Sequence, residues 1–278
     1  MEGLFDSHTH LQLPAFAKDR QAALDRARES GVAEMVVVGI DGTGSREAVA
    51  LAARQEGVYA AVGFHPHEAK LVDGEALRLV RELAAAPGVV ALGEVGLDFY
   101  RDLSPREAQA RAFREQLELA AKLGLPVIIH SREAAAETYA VLRDWLARAG
   151  DVPPLDKPLG VLHCFSGDLA AAQRYVEMGF MISVAGNVTY PNAMRLQAVA
   201  AALPLEHLIV ETDCPFLAPQ SHRGRRCEPS YLTETVDKIA ALRNVSRQAV
   251  AAATRENARR LYRLDGEGRR AGSPGERA

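Results

Sequence analysis

Cysteine is scarce in this 278-residue chain: there are three, Cys164, Cys214 and Cys227, with no close pairing. An odd, sparse set cannot supply a disulfide framework, so a reducing, cytoplasmic setting is expected. Long apolar runs are also missing. None approaches the roughly 18–20 residues of a membrane span, so no membrane association is expected. The N-terminus carries acidic Glu2 and Asp6 instead of a basic segment leading into a long apolar core, which predicts no signal peptide. Neither sign of charge dominates: 33 Lys and Arg against 36 Asp and Glu leave a net charge of -3. This argues against a protein that coats nucleic acid nonspecifically, but leaves room for a local basic site. What remains is a globular composition, 48% hydrophobic and 25% charged.

Apolar, β-branched runs alternate with amphipathic segments rich in Ala, Leu and Arg. The runs predict strands over Gly3–Ser7, Glu34–Ile40, Val58–Phe64, Val89–Glu94, Pro126–His130, Leu159–His163, Phe180–Val184 and Leu208–Thr212. Helices are predicted over Arg20–Ser30, Ser45–Glu56, Gly74–Ala86, Pro105–Leu123, Glu133–Ala149, Leu169–Met178 and Asn192–Ala202. Gly31, Gly57 and Gly179 stand at three helix ends, and Ser104 is positioned to cap the helix that starts at Pro105. Ser230–Arg243 and Ser246–Leu264 predict two closing helices. Gly150–Pro158, with three prolines, reads as a loop. Eight strands, each followed by a helix, predict a single α/β domain, a (β/α)8 TIM-like barrel over residues 1–264. Residues 265–278, rich in Gly, Arg and Pro, are expected to form a disordered tail. A doubly wound open sheet is the alternative; the count of eight and the length favour the barrel.

In such a barrel the active site lies where strands end, at the C-terminal face. The first strand delivers His8 and His10, two residues apart and therefore on one side. The fourth delivers Glu94, the fifth His130, the sixth His163, and Asp213 follows the eighth. A lone strand-end histidine is more often a packed core residue. Four histidines and two carboxylates at matched positions point instead to metal ligation. Six donors exceed the need of one site, which predicts two divalent ions bridged by Glu94. One ion would take His8, His10, Glu94 and Asp213, the other Glu94, His130 and His163. Mixed imidazole and carboxylate ligation suits Mg, Mn or Zn. Such a pair activates water and stabilises charge on an attacked phosphate or carbonyl, and Asp213 is the candidate base, doubling as ligand.

These motifs resemble the TatD family of metal-dependent hydrolases, within the amidohydrolase-like barrels. The resemblance rests on Phe5–Leu11, Gly63–His67, Gly93–Tyr100, Pro126–Arg132, His163–Gly167, Glu211–Pro215 and His222–Pro229, and runs through Tyr262. Many related amidases carry a carboxylated lysine on the fourth strand, where this chain has Glu94, as in the TatD branch. The resemblance implies divalent-metal-dependent deoxyribonuclease activity, with 3′ to 5′ exonuclease action on single-stranded DNA and no obligate protein partner. Some relatives are credited with deacylating D-aminoacyl-tRNA, so an ester or amide hydrolase on the same metals is the alternative. A non-enzymatic barrel with structural or absent metals is a third reading.

Other residues are candidates for substrate contact. His65, at the end of the third strand, is read as a phosphate contact or a ligand of a weak third metal; its bland reading, with His67, is a loop histidine beside Pro66. Arg132, two residues past His130, could clamp a phosphate, or could merely pair with Glu133. Arg223, Arg225 and Arg226 form a basic patch after the eighth strand, with Arg223 the first candidate. Asp98 could support the metal shell or face substrate, and Tyr100 could stack on a base or simply pack. Cys164 and Cys214 are read as small buried residues. His207, before the eighth strand, belongs to the opposite face.

Overall fold

The computed structural model describes residues 3–149, 157–265 and 269–270. The elements run β1 (Leu4–Thr9), α1 (Arg20–Glu29), β2 (Val32–Val38), α2 (Gly42–Ala52), β3 (Val58–Val62), α3 (Gly74–Ala84), β4 (Val89–Asp98) and α4 (Arg106–Leu123). They continue through β5 (Val127–Arg132), α5 (Ala135–Ala149), β6 (Gly160–Leu162), α6 (Leu169–Glu177), β7 (Phe180–Val184), α7 (Met194–Ala202) and β8 (Leu208–Val210). Two helices follow, α8 (Leu232–Arg243) and α9 (Arg247–Leu261), and then a short antiparallel pair, β9 (Leu264–Asp265) with β10 (Arg269–Arg270). The eight main strands pair in parallel in sequence order. The expected (β/α)8 barrel is the fold.

Two apolar layers result from the pleat. Alternate residues of each strand face the helices or the barrel interior. In β5, Val127 and Ile129 join the layer shared with the helices, while Ile128 joins the inner cluster. Phe5 fills the inner layer too, with its ring 6.2 Å from that of Tyr59 and 5.8 Å from that of Tyr262. Tyr262, just past α9, donates its buried hydroxyl to the Ser7 carbonyl at 2.9 Å. The last helix thus plugs the inner layer next to the first strand.

The seam between β1 and β8 has little regular ladder. Backbone bonds run from His10 N to the Cys214 carbonyl (2.8 Å) and from Asp213 N to the His8 carbonyl (3.0 Å). A side chain does the rest: Asp6 accepts from Thr212 N at 2.9 Å and from the Thr212 hydroxyl at 2.6 Å. Asp6 is fully buried, and desolvation pushes its carboxyl up to about 8.

Several boundaries differ from the sequence expectation. β1 runs two residues further than expected, through Thr9, so His8 lies inside the strand. β4 continues four residues past Glu94, because Val95 to Asp98 pair with Ile129 to Arg132 of β5. Gly96 makes this pairing possible: its φ is +141°, and a Cβ there would lie 2.0 Å from the His130 carbonyl oxygen. α2 starts early because Asp41 caps it, accepting from Gly44 N at 2.6 Å. Ser104 does not cap α4. Its hydroxyl donates to the His67 carbonyl at 2.7 Å, and Pro105 stands at the cap. The expected loop over Gly150–Pro158 falls mostly outside the described residues, as does most of the expected tail, 265–278.

Candidate metal centre

The alternation that packs the barrel also aims its donors. His130 has the parity of Ile128, and His163 that of Val161, both in the inner layer. Glu211 and Asp213 follow Ile209 at the same period. These side chains therefore continue the inner layer upward, where apolar packing gives way to imidazoles and carboxylates. His8, His10, Glu94 and His163 are buried, and Asp213 reaches the surface slightly, with 13% of its side chain exposed. The backbone is unusual at two of these positions: Asp213 has φ +55°, and Cys164, next to His163, has φ +44°. Non-glycine residues of this kind cluster at sites whose surroundings hold them in place.

Glu94 is central. Its Oε1 lies 2.7 Å from His130 Nδ1, 2.9 Å from His163 Nε2 and 3.5 Å from His65 Nε2. Its Oε2 faces the other way, 3.4 Å from His8 Nε2 and 3.6 Å from His10 Nε2. Asp213 Oδ1 completes this second side, 3.5 Å from His10 and 3.8 Å from His8. The sets His8–His10–Asp213, His8–Glu94–His163 and His65–Glu94–His130 each bring three donor atoms close enough to hold one cation. The donors fit a metal better than they fit one another. His8 and His10 point their Nε2 atoms together at 3.1 Å, and both also face Glu94 Oε2 and Asp213 Oδ1.

The electrostatics keep the carboxylates ionised and divide the histidines: His163, despite burial, is pushed well above the usual imidazole range by Cys164, Glu94 and Glu211. Burial would push the Glu94 carboxyl up, but His163, His65 and His130 outweigh it and hold the group well below the usual carboxylate range. Asp213 is held low against the same burial cost by His10, His163 and His8. Burial lowers His8, and it lowers His65 to about 4. Both therefore present neutral rings, the form that binds metal. His10 and His130 shift upward despite burial, His10 through Asp213 and Glu94, and His130 through Asp98 and Glu94.

A cavity of about 680 Å³ opens over this cluster. His65 lines it and touches Glu94, so it sits among the metal donors as well as facing substrate space. Asp98 Oδ2 accepts from His67 Nε2 at 2.9 Å and lies 3.2 Å from His130 Nε2, so Asp98 supports the ring of His130 and His67 is drawn away from the metal cluster. Arg132 also lines the cavity. It makes no ion pair with Glu133 and lies over the Tyr100 ring, 4.0 Å from its centroid. Cys164 is only partly buried and lies on the wall, close to His163 and Asp213, contrary to its reading as a buried filler. Cys214 is fully buried as expected. The basic patch is divided. Arg226 is bound by Asp19 and Glu228, whereas Arg223 lies over the Tyr190 ring at 4.8 Å and does not line the cavity.

One buried carboxylate was missed. Glu211 Oε1 accepts from Cys164 N at 2.5 Å and lies 3.5 Å from His163 Nδ1. The signal was available in its period-two position, two residues before Asp213.

Comparison with known proteins agrees with this geometry. The family model described as "TatD related DNase" matches residues 5–263. A Bacillus subtilis protein called uncharacterized metal-dependent hydrolase YabD is 37% identical over 262 residues, covering 94% of this chain and all of that protein. An Erwinia tasmaniensis protein named 3′-5′ ssDNA/RNA exonuclease TatD is 38% identical over 268 residues, covering 94% of this chain and all of that protein. Among solved structures, the TatD homologue YJJV of Escherichia coli superposes with a TM-score of 0.85 at 32% identity, covering 93% of this chain and 97% of that one. The chain is a metal-dependent hydrolase acting on ester bonds, and it belongs to the TatD related DNase family.

Proposed function

We propose that this barrel, taken as one catalytic unit over residues 1–264, is a two-metal phosphodiesterase that removes nucleotides from the 3′ end of single-stranded DNA. The observation that carries the reading is the division of Glu94: one carboxylate oxygen faces His130 and His163, the other faces His8 and His10. A carboxylate so placed would serve both donor sets if each held a cation. His8, His10, Glu94 and Asp213 would hold one, and Glu94, His130 and His163 the other. Bound divalent ions supply Lewis acidity to a phosphodiester and to water.

The chain's own residues do the remaining work. Asp213 stays ionised at the slightly open side of the cluster and accepts a proton from the attacking water. Asp98 fixes the orientation of His130 from outside. Arg132, which pairs with no carboxylate among the described residues, meets substrate phosphate at the rim, and His65 contacts the phosphate from the cavity wall. Arg223, further out, contacts the strand beyond the cleaved linkage. The named activity of the Erwinia relative supports a nucleic-acid substrate. The scarcity of cysteine supports a reducing, cytoplasmic setting.

The test is a panel of 5′-labelled single-stranded DNA, single-stranded RNA, duplex DNA, D-aminoacyl-tRNA and simple esters, each with Mg²⁺, Mn²⁺ or Zn²⁺. A Glu94→Gln control accompanies every arm. Stepwise shortening of single-stranded DNA by the wild type, and loss of that activity by on the order of a thousandfold in the variant, is expected. Faster turnover of the tRNA ester than of any strand would overturn the assignment.

A further inference from the structure

Six large apolar side chains stand exposed among the described residues: Leu71, Tyr100, Leu103, Met194, Phe216 and Val245. Their placement is uneven. Leu103 and Phe216 line the cavity over the metal cluster, and Tyr100 backs Arg132 on its rim. Phe216 is 52% exposed and Leu103 56%. An exposed Phe on the wall of a cleft leaves unmade an apolar contact that a ligand could supply.

The two residues sit on opposite walls. Leu103 belongs to the loop after β4, and Phe216 to the loop after β8, four strands away around an eight-stranded barrel. Glu94 and Asp213 come from the same two strands. Each wall thus carries one metal donor below and one apolar side chain above. Both loops are pinned. Asp98 Oδ1 accepts from Tyr100 N (3.0 Å) and Arg101 N (2.8 Å), and Ser104 is tied to the His67 carbonyl. Phe216 N donates to the Asp213 carbonyl at 2.9 Å, and its ring lies 6.1 Å from that of His10, edge to face. The walls therefore hold fixed positions above the metals, with Arg101 and Arg132 supplying positive charge at the rim.

Apolar faces flanking a phosphate-seeking centre, with cations at the rim, match one chemistry: a nucleotide whose base is unpaired and presents its flat face. We propose that Phe216 is the base-stacking residue of this site, with Leu103 closing the opposite wall, and that together they select an unpaired base next to the cleaved phosphodiester. This rests on the nuclease reading above. A base inside a duplex already has both faces covered and cannot be accepted without unstacking, so the pair would make single-strandedness a condition of cleavage.

The experiment compares three substrates with Mn²⁺: a single strand, the same strand with abasic residues at its 3′ end, and its blunt duplex. The enzymes are the wild type, Phe216→Ala, Phe216→Trp and Leu103→Ala. The wild type should prefer the base-bearing strand over the abasic one by roughly 5- to 150-fold in kcat/KM, the range that one stacked base provides. Phe216→Ala should narrow that ratio to within about twofold, mainly through KM, and Phe216→Trp should restore it. The single-strand over duplex preference should shrink in parallel, with Leu103→Ala intermediate. A wild type that cleaves base-bearing and abasic ends equally would overturn this inference and leave the nuclease reading intact. So would a Phe216→Ala ratio unchanged from the wild type. A wild type inactive on every strand would overturn both.

Discussion

Glu211→Gln tests whether the metal cluster depends on a residue that touches no metal position. Glu211 is buried, and its Oε1 holds Cys164 N at 2.5 Å and faces His163 Nδ1 at 3.5 Å. His163 Nε2 points the other way, toward Glu94. A carboxylate behind Nδ1 favours the tautomer with the proton on Nδ1, which leaves the Nε2 lone pair for a cation. Glutamine, with its amide oxygen kept on Cys164 N, preserves the shape and the acceptor beside Nδ1 but removes the charge. At 3.5 Å and an effective dielectric near 20, a full charge on the ring would lose about 5 kcal/mol of attraction. A neutral, metal-binding ring feels a fraction of that. The expected loss is therefore about 10- to 100-fold in metal affinity, or about 1.4–2.8 kcal/mol. Calorimetric titration of metal-free protein with Mn²⁺ and with Zn²⁺ measures it, and the metal-free melting curve controls for folding. Affinity within threefold of the wild type for both metals would refute the role given to Glu211.

Three further outcomes are expected. Asp213→Asn should lower kcat at least about a hundredfold while moving the metal-free melting temperature by no more than about 3 °C, because the group acts at an open edge; retained turnover would remove Asp213 as the base. Gly96→Ala forces a Cβ against the His130 carbonyl at a positive φ, costing about 1–3 kcal/mol, so its melting temperature should fall by at least about 3 °C and metal affinity should weaken with it. At acid pH, Asp19, held low chiefly by its bonds to Arg226, and Glu228, held low by Arg26 and Arg226 against burial, both bind protons less readily folded than unfolded. Their stabilisation is complete above the unfolded values near 4 and is lost as pH falls through the folded ones, so urea unfolding of Glu228→Gln should show a lower stability at pH 7 and a shallower acid decline than the wild type.

Much of the candidate site was legible because donor side chains at strand ends leave a residue-type signature at a fixed place. A histidine after an apolar run, as in Ile128-Ile129-His130, is conspicuous, and the strand period says which way it faces. Glu211 carried the same periodicity but lay beside Asp213, and supporting carboxylates have no signature of their own. The helix cap misread at Ser104 has a different cause. A serine before proline satisfies the local capping rule, yet a contact 37 residues away, with His67, took the hydroxyl. The split of the arginine patch is likewise tertiary: Arg226 meets Asp19 across about 200 residues, which no local pattern signals. The extension of β4 past Glu94 depended on the room that Gly96 gives its neighbour, a property of two strands together.

The seam between the first and eighth strands has a consequence measured in time. The donors His8 and His10 lie near the start of the chain, and Asp213, with the Thr212 that Asp6 grips, comes about 200 residues later. At synthesis rates of roughly 5–20 residues per second, the two halves of that candidate donor set leave the ribosome roughly 10–40 seconds apart. For that interval a nascent chain carries exposed imidazoles without their acidic counterpart. Hydrolytic capacity therefore arrives at a single late moment, when the last strand docks, and no shorter fragment of the barrel should possess it.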